Sequence, residues 1–191
     1  MASMTALLNR IFAACTWPGR IVGWLILPLI ASVCLTVLAA QLGLNVLAEW
    51  GVAVPVFGKA LTVNSLLDLQ WHIFALIVLF GGIYAYRDNT HVSVDVFSSA
   101  LPDRTRLIVR TVGDLIFLLP FCVIIAWYGA SFAEKAFMTG EGSTYGGLMD
   151  RWLIKAAIPV SFTLLGISAV IRAVLTLRRI MEMRGERPSH G

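Results

Sequence analysis

Charge is scarce in this chain, and it is missing altogether over long runs. Among 191 residues there are 15 Lys or Arg and 11 Asp or Glu, while 58% of residues are hydrophobic. Cysteine is rare too: Cys15, Cys34 and Cys122 stand far apart and form no Cys-x-x-Cys pair, which argues against a thiol oxidoreductase. There are three histidines, and His72 alone falls in an apolar segment, with His91 in a loop and His190 near the C-terminus. Haem held between two facing histidines is therefore not expected, and a satisfied interfacial histidine is the simpler reading of His72. Gly-x4-Gly-Lys-Ser/Thr and Gly-x-Ser-x-Gly are absent, as is any paired-carboxylate pattern. No catalytic residue, cofactor or metal ligand is expected, and the chain reads as no enzyme.

What is present is apolar length. Ile21–Ala48, Leu69–Tyr86, Leu115–Ala133 and Ala156–Ile171 run 28, 18, 19 and 16 residues without Asp, Glu, Lys or Arg. A hydrocarbon core of about 30 Å takes about 20 helical residues at ~1.5 Å each. The first three runs meet that length, and the fourth can do so if Lys155 and Arg172 snorkel outward. The expectation is an all-α integral membrane protein of four transmembrane helices, at about 21–47, 67–86, 110–133 and 153–177. The remaining loops are too short for a second folded unit, so 1–191 reads as a single membrane domain. Leu7, Leu8, Ile11 and Phe12 share one helical face and suggest a short interfacial helix at a retained N-terminus.

The basic residues set an orientation. Arg10 and Arg20, the four arginines of 87–110 and the five of 172–187 lie on one side of the spans. Lys59, Lys135, Arg151 and Lys155 lie on the other. That bias puts both termini in the cytoplasm. Because these charges cluster at span ends rather than in one patch, no nucleic-acid partner is expected, whereas membrane lipid is. On the opposite side the Val52/Val54/Val56 alternation reads as extended chain, and Gly140, Gly142, Gly146 and Gly147 make 134–155 rich in turns. Trp24, Trp50, Trp71, Trp127 and Trp152 fall near span ends, as interfacial anchors do.

The spans carry little chemistry of their own. A proton- or ion-coupled carrier normally keeps an acid at mid-depth or breaks its helices in two matching repeats. The first span has no acid, which disfavours a self-assembling small exporter. Asp114 lies one turn past Arg110, where pairing or solvation is a simpler reading than transport. Pro28 and Pro120 read as kinks.

Two polar strings stand out. The first is Arg87-Asp88-Asn89-Thr90-His91-Val92-Ser93-Val94-Asp95-Val96, followed by Leu101-Pro102-Asp103-Arg104, with room for a second interfacial helix and with Pro102 opening a new one. An ordinary polar loop explains it as well as a partner-docking segment does. The second runs from Glu141-Gly142-Ser143 through Trp152 and Lys155 to Ile158-Pro159, where an aromatic anchor and a cation share a helical face.

In that order and on opposite sides of the membrane, these strings resemble the small membrane subunit of tripartite ATP-independent periplasmic (TRAP) transporters. Arg87, His91, Val92, Val94, Asp95, Leu101, Pro102 and Arg104 match its first pattern. Ser143, Trp152, Lys155, Ile158 and Pro159 match its second. Ser93 departs from it, standing where a basic residue is frequent. Leu69-Gln70-Trp71-His72, Phe117–Phe121 and Glu141-Gly142-Ser143 look like the branch named for mannitol and chloroaromatic compounds, whose substrates are 2-oxo acids and related carboxylates.

The resemblance implies a bacterial inner-membrane complex, driven by sodium, that imports an organic acid. Its large TRAP permease subunit carries the substrate and ion sites, and a periplasmic substrate-binding protein captures the solute. The small subunit would scaffold the large one without binding substrate or ions. Arg87, His91, Asp95, Ser143, Trp152, Lys155 and Pro159 are then the partner-contact candidates. Small residues Gly23, Ala31, Ala39, Ala40 and Gly43 suit close packing of the first span, against a neighbouring subunit or within the chain. The alternative is a membrane redox protein using its Cys or His groups.

Overall fold

The computed structural model describes residues 2–88 and 102–185. Four helices in it are long and apolar enough to cross a membrane: Ser3–Gln41, Val63–Arg87, Arg104–Met138 and Trp152–Glu182. The first consists of α1 (Ala2–Val22), a tight 3₁₀ turn at Gly23–Leu25, and α2 (Ile26–Gln41). The turn has a local cause. Pro28 lacks the N–H that the Trp24 carbonyl would accept, and its ring crowds that carbonyl. The amphipathic N-terminus is thus the start of a long helix rather than a separate short one. Its inward face is Leu8, Phe12, Cys15, Thr16 and Gly19, whereas Leu7 and Ile11 are exposed.

The charge-free run to Ala48 does not stay helical. Gly43 takes φ +66°, Leu44 N–H donates to the Ala39 carbonyl at 2.9 Å, and Gly43 N–H donates to Ala40 at 3.2 Å. This glycine stop ends the helix at Gln41, six residues before the end expected from composition. Val46–Val54 (β1) and Gly58–Thr62 (β2) then form an antiparallel hairpin, pairing Val46 with Thr62 and Val54 with Gly58. The extended reading of 52–56 was too narrow, because Val46-Leu47-Ala48 is strand as well.

α3 (Val63–Asp88) starts on a reciprocal cap: Ser65 N–H donates to Thr62 Oγ1 and Thr62 N–H to Ser65 Oγ. Pro102 stands just ahead of α4 (Asp103–Gly113). A π-helical turn at Asp114–Leu118 leads into α5 (Leu119–Met138). Pro120 again explains the irregularity, since it cannot donate to the Ile116 carbonyl; Leu119 N–H bonds Asp114 across the wider turn. Gly140, at φ +60°, ends α5 as Gly43 ends α2, with Glu141 N–H on the Ala136 carbonyl at 3.0 Å. α6 (Trp152–Gly185) runs continuously through Pro159.

The helices form a row rather than a closed bundle. α5 packs on α6, α6 on α3, and α3 on α2, with α1 against α3 and α6 at the terminal end. Small side chains on the central helix allow the approach: Ser161, Ser168, Ala169 and Ala173 of α6 are buried. Gly19 brings α1 onto α3, where a Cβ would lie 2.4 Å from the Phe80 carbonyl oxygen. Between α2 and α3 the contact is partly polar, with Gln70 donating to Thr36 at 2.8 Å and Ser32 to the Leu66 carbonyl at 3.3 Å. Of the small residues on the first span, Ala39 is buried here, while Ala31 and Ala40 are exposed and a Cβ on Gly23 or Gly43 would meet open space.

Candidate functional site

Polar groups gather at the two ends of the row. At the hairpin end the loop Thr139–Arg151 folds over the start of α3. Asp68 is its centre: its Oδ2 accepts Leu148 N–H at 3.1 Å, and Arg151 lies 4.0 Å from Oδ1. Gly147 has to be glycine for this contact, because a Cβ there would overlap the Asp68 carboxylate. The hairpin joins the same layer. Met149 N–H donates to the Val56 carbonyl at 2.6 Å, Val56 N–H to Asp150 at 3.3 Å, and Asn64 to the Tyr145 carbonyl at 2.7 Å. Trp50 Nε1 donates to the Gly58 carbonyl at 2.7 Å and braces the hairpin. Leu148, 1% exposed, plugs the centre of the layer.

The second string falls within this layer. Ser143 N–H donates to the Leu148 carbonyl at 2.9 Å, and its hydroxyl lies 3.4 Å from Tyr145 N. Trp152 meets Phe137 edge to face at 5.2 Å. Lys155 pairs with Glu141 at 2.5 Å and stands 3.9 Å from the centre of the Phe132 ring. Pro159 packs on Gly129, where a Cβ would approach its Cδ to 3.3 Å. All four residues are engaged inside the chain.

At the other end the contacts are made by arginines. Arg172 grips Asp114 with three hydrogen bonds of 2.6–2.9 Å, donates to the Tyr86 carbonyl at 3.1 Å and lies 3.4 Å above the Tyr86 ring centre. Both charged side chains are nearly covered, 14% and 10% exposed. Arg172 therefore turns inward rather than snorkelling out, and the carboxylate it grips is on another helix. Arg87 donates to Thr16 Oγ1 at 2.9 Å and lies over Phe12, tying the end of α3 to α1. His91 and Asp95, with the rest of the first string between Asp88 and Pro102, lie outside the described residues.

The groups behind the redox alternative do not converge. The thiols are free and stand apart, Cys15 on α1 and Cys34 on α2 of the first span and Cys122 on α5 of the third. His72 Nδ1 is 2.6 Å from the Asp68 carbonyl of its own helix. Asp68 and the Asp114–Arg172 pairing escaped the sequence reading. Asp68 could have been suspected as the acid that directly precedes an apolar run opposite a glycine-rich loop.

Compared with known families, residues 29–179 match the family model described as the DctQ component of tripartite ATP-independent periplasmic transporters. The chain belongs to the DctQ family. A comparison with curated proteins finds no match. DctQ is a membrane family of transporter components, not an enzyme family, and it works with the DctM and DctP components of the same transporters. With four candidate spans, this DctQ chain is a multi-pass protein of the inner membrane. The redox alternative is not favoured.

Proposed function

We propose that this DctQ chain is the scaffolding subunit of a sodium-driven importer of an organic acid, of the mannitol/chloroaromatic-like branch that takes 2-oxo acids. On this reading the DctM component carries substrate and sodium, the DctP component delivers the solute, and this chain widens the fixed frame against which the moving part of DctM works. The termini face the cytoplasm and the hairpin with its loop layer faces the periplasm, in line with the arginine bias. The observation that carries the reading is the open row of helices. It leaves large apolar side chains exposed along α2, the π-helical turn and α5, among them Leu27, Ile30, Leu38, Phe117, Ile124 and Trp127. An apolar row of this shape suits a helical partner as well as lipid.

Removing the chain should abolish sodium-dependent uptake of the acid in cells that retain DctM and DctP. Robust uptake by DctM and DctP alone would overturn the scaffolding role. The partner-contact residues act on assembly: Asp95→Ala and Trp152→Ala should lower the yield of DctM copurified with this chain and leave the solute affinity of DctP unchanged. Trp152 and Lys155 act here by shaping the loop layer, since their own contacts are within the chain.

A further inference from the structure

Between α1 and α3, at the end of the row that holds the termini, there is a recess of about 360 Å³ lined by Ala13, Thr16, Trp17, Arg20, Tyr84 and Arg87. Two cations share it, and among the described residues neither has a carboxylate partner. Arg87 is held by the buried Thr16 hydroxyl, which in turn donates to the carbonyl of Phe12 or Ala13 one turn back. A guanidinium has five N–H donors, so one bond to Thr16 positions the group and leaves donors over. Two positive charges lining one recess, one of them held in place by Thr16, call for an anion.

The depth of the recess says which anion. Arg20 is the residue directly before the charge-free run that begins at Ile21, and Arg87 is the residue directly after the run that ends at Tyr86. On two antiparallel helices, these are the levels at which hydrocarbon gives way to headgroups. Gly19 sets the pair side by side by letting α1 touch the Phe80 carbonyl and Tyr84 Cβ. Trp17, 64% exposed, stands at the rim as an interfacial aromatic, and exposed Ile21 and Trp24 continue the surface into the apolar zone. We propose that this recess binds the phosphodiester headgroup of an anionic glycerophospholipid, with Arg20 and Arg87 on the phosphate and the acyl chains lying along Ile21 and Trp24. Basic recesses between transmembrane helices take such headgroups, and each arginine near the surface adds about 1 kcal/mol, roughly fivefold in affinity. The inference is independent of what the transporter carries.

The test is native mass spectrometry of the full-length chain, in whatever complex it is extracted with, delipidated and titrated with phosphatidylglycerol, phosphatidylcholine or inorganic phosphate. One phosphatidylglycerol should be retained, with at least roughly tenfold preference over phosphatidylcholine, given two arginines. The double variant Arg20→Gln/Arg87→Gln should lose that preference, and Arg179→Gln, outside the recess, should keep it. Should the double variant fail to fold, Arg20→Gln alone decides the matter, because its exposed side chain makes no hydrogen bond or ion pair among the described residues. Equal retention of the two lipids would overturn the proposal, as would an unchanged preference in the Arg20 variant. So would displacement of the lipid by inorganic phosphate at equal concentration, which would mark a site for a soluble anion.

Discussion

The two ends of the helix row are held by opposite means. At the hairpin end, loops distant in sequence are joined largely through backbone N–H groups and carbonyls, with the Asp68 carboxylate as a hub, Asp150 taking Val56 N–H and Leu148 as the plug. At the terminal end, among the described residues, arginine side chains join the helices, their guanidinium groups reaching a carboxylate, a carbonyl, a hydroxyl and two aromatic rings. The difference follows from where each end lies along the apolar runs. The hairpin layer lies beyond them, and loop backbone there must find partners of its own. The Asp114–Arg172 pair lies at the border, directly before Leu115 and directly after Ile171, where water is scarce and an unpaired charge is costly. One end is therefore tolerant of losing a charge and the other is not.

The largest expected effect is at the intolerant end. Asp114→Asn or Arg172→Met breaks the buried pair by removing one of its members and should cost about 3–5 kcal/mol. It should show as a lower thermal midpoint of the detergent-solubilised protein. Replacing both, as Asp114→Leu with Arg172→Met, should recover most of that loss, because an apolar pair has nothing left to solvate. Arg172→Lys should not rescue, since an ammonium cannot reproduce the forked grip or the stacking on Tyr86. A single variant as stable as wild type would remove the contrast between the ends.

A smaller effect is expected at Asp68. Asp68→Ala strips the acceptor from Leu148 N–H and the counter-charge from Arg151, a loss of about 1–3 kcal/mol. It should be confined to the loop layer. Hydrogen exchange should quicken at Leu148 and its neighbours while α6 stays protected. Gly147→Ala should reproduce the pattern from the other side, because the added methyl displaces the same carboxylate. Asp68→Asn keeps one oxygen acceptor and should fall between wild type and Asp68→Ala. Faster exchange throughout α6 in these variants would mean that the layer supports the whole row.

Part of the fold could be read from the sequence, and what could not has physical causes. The four spans were legible because lipid excludes charge over a length that soluble cores do not need. Their ends were not, because Val46-Leu47-Ala48 has the composition of a span, and only the left-handed backbone at Gly43 turns it into strand. The second string was legible as a cluster, Trp152 and Lys155 being one turn apart. Its partners Phe137 and Phe132 were not, since they come from the preceding helix, and Glu141, which opens the same string, was not matched to Lys155. Asp114 has Arg110 one turn away, yet its carboxylate meets Arg172, 58 residues on, because helix facing rather than sequence distance decides the pair. Asp68 was missed because its carboxylate serves a backbone N–H, which every residue but proline has and no residue type advertises.

The smallest effect, and the sharpest check on the contrast, belongs to Lys155. Its ammonium is as covered as Arg172, with 15% of the side chain exposed, and it too has a carboxylate and an aromatic ring as partners. Burial alone would predict that Lys155→Met is as damaging as Asp114→Asn. The surroundings predict otherwise. Glu141 is 37% exposed, so its carboxylate can turn to water once the lysine is gone, and methionine keeps the apolar stem on Phe132. Glu141 also holds Arg151 through its backbone carbonyl, at 3.0 Å, a bond the substitution does not touch. A partly exposed pair with one cation–π contact should amount to about 1 kcal/mol or less, with loop exchange nearly unchanged. If Lys155→Met instead lowers the thermal midpoint as far as Asp114→Asn, then charge, and not backbone pairing, holds the hairpin end as well.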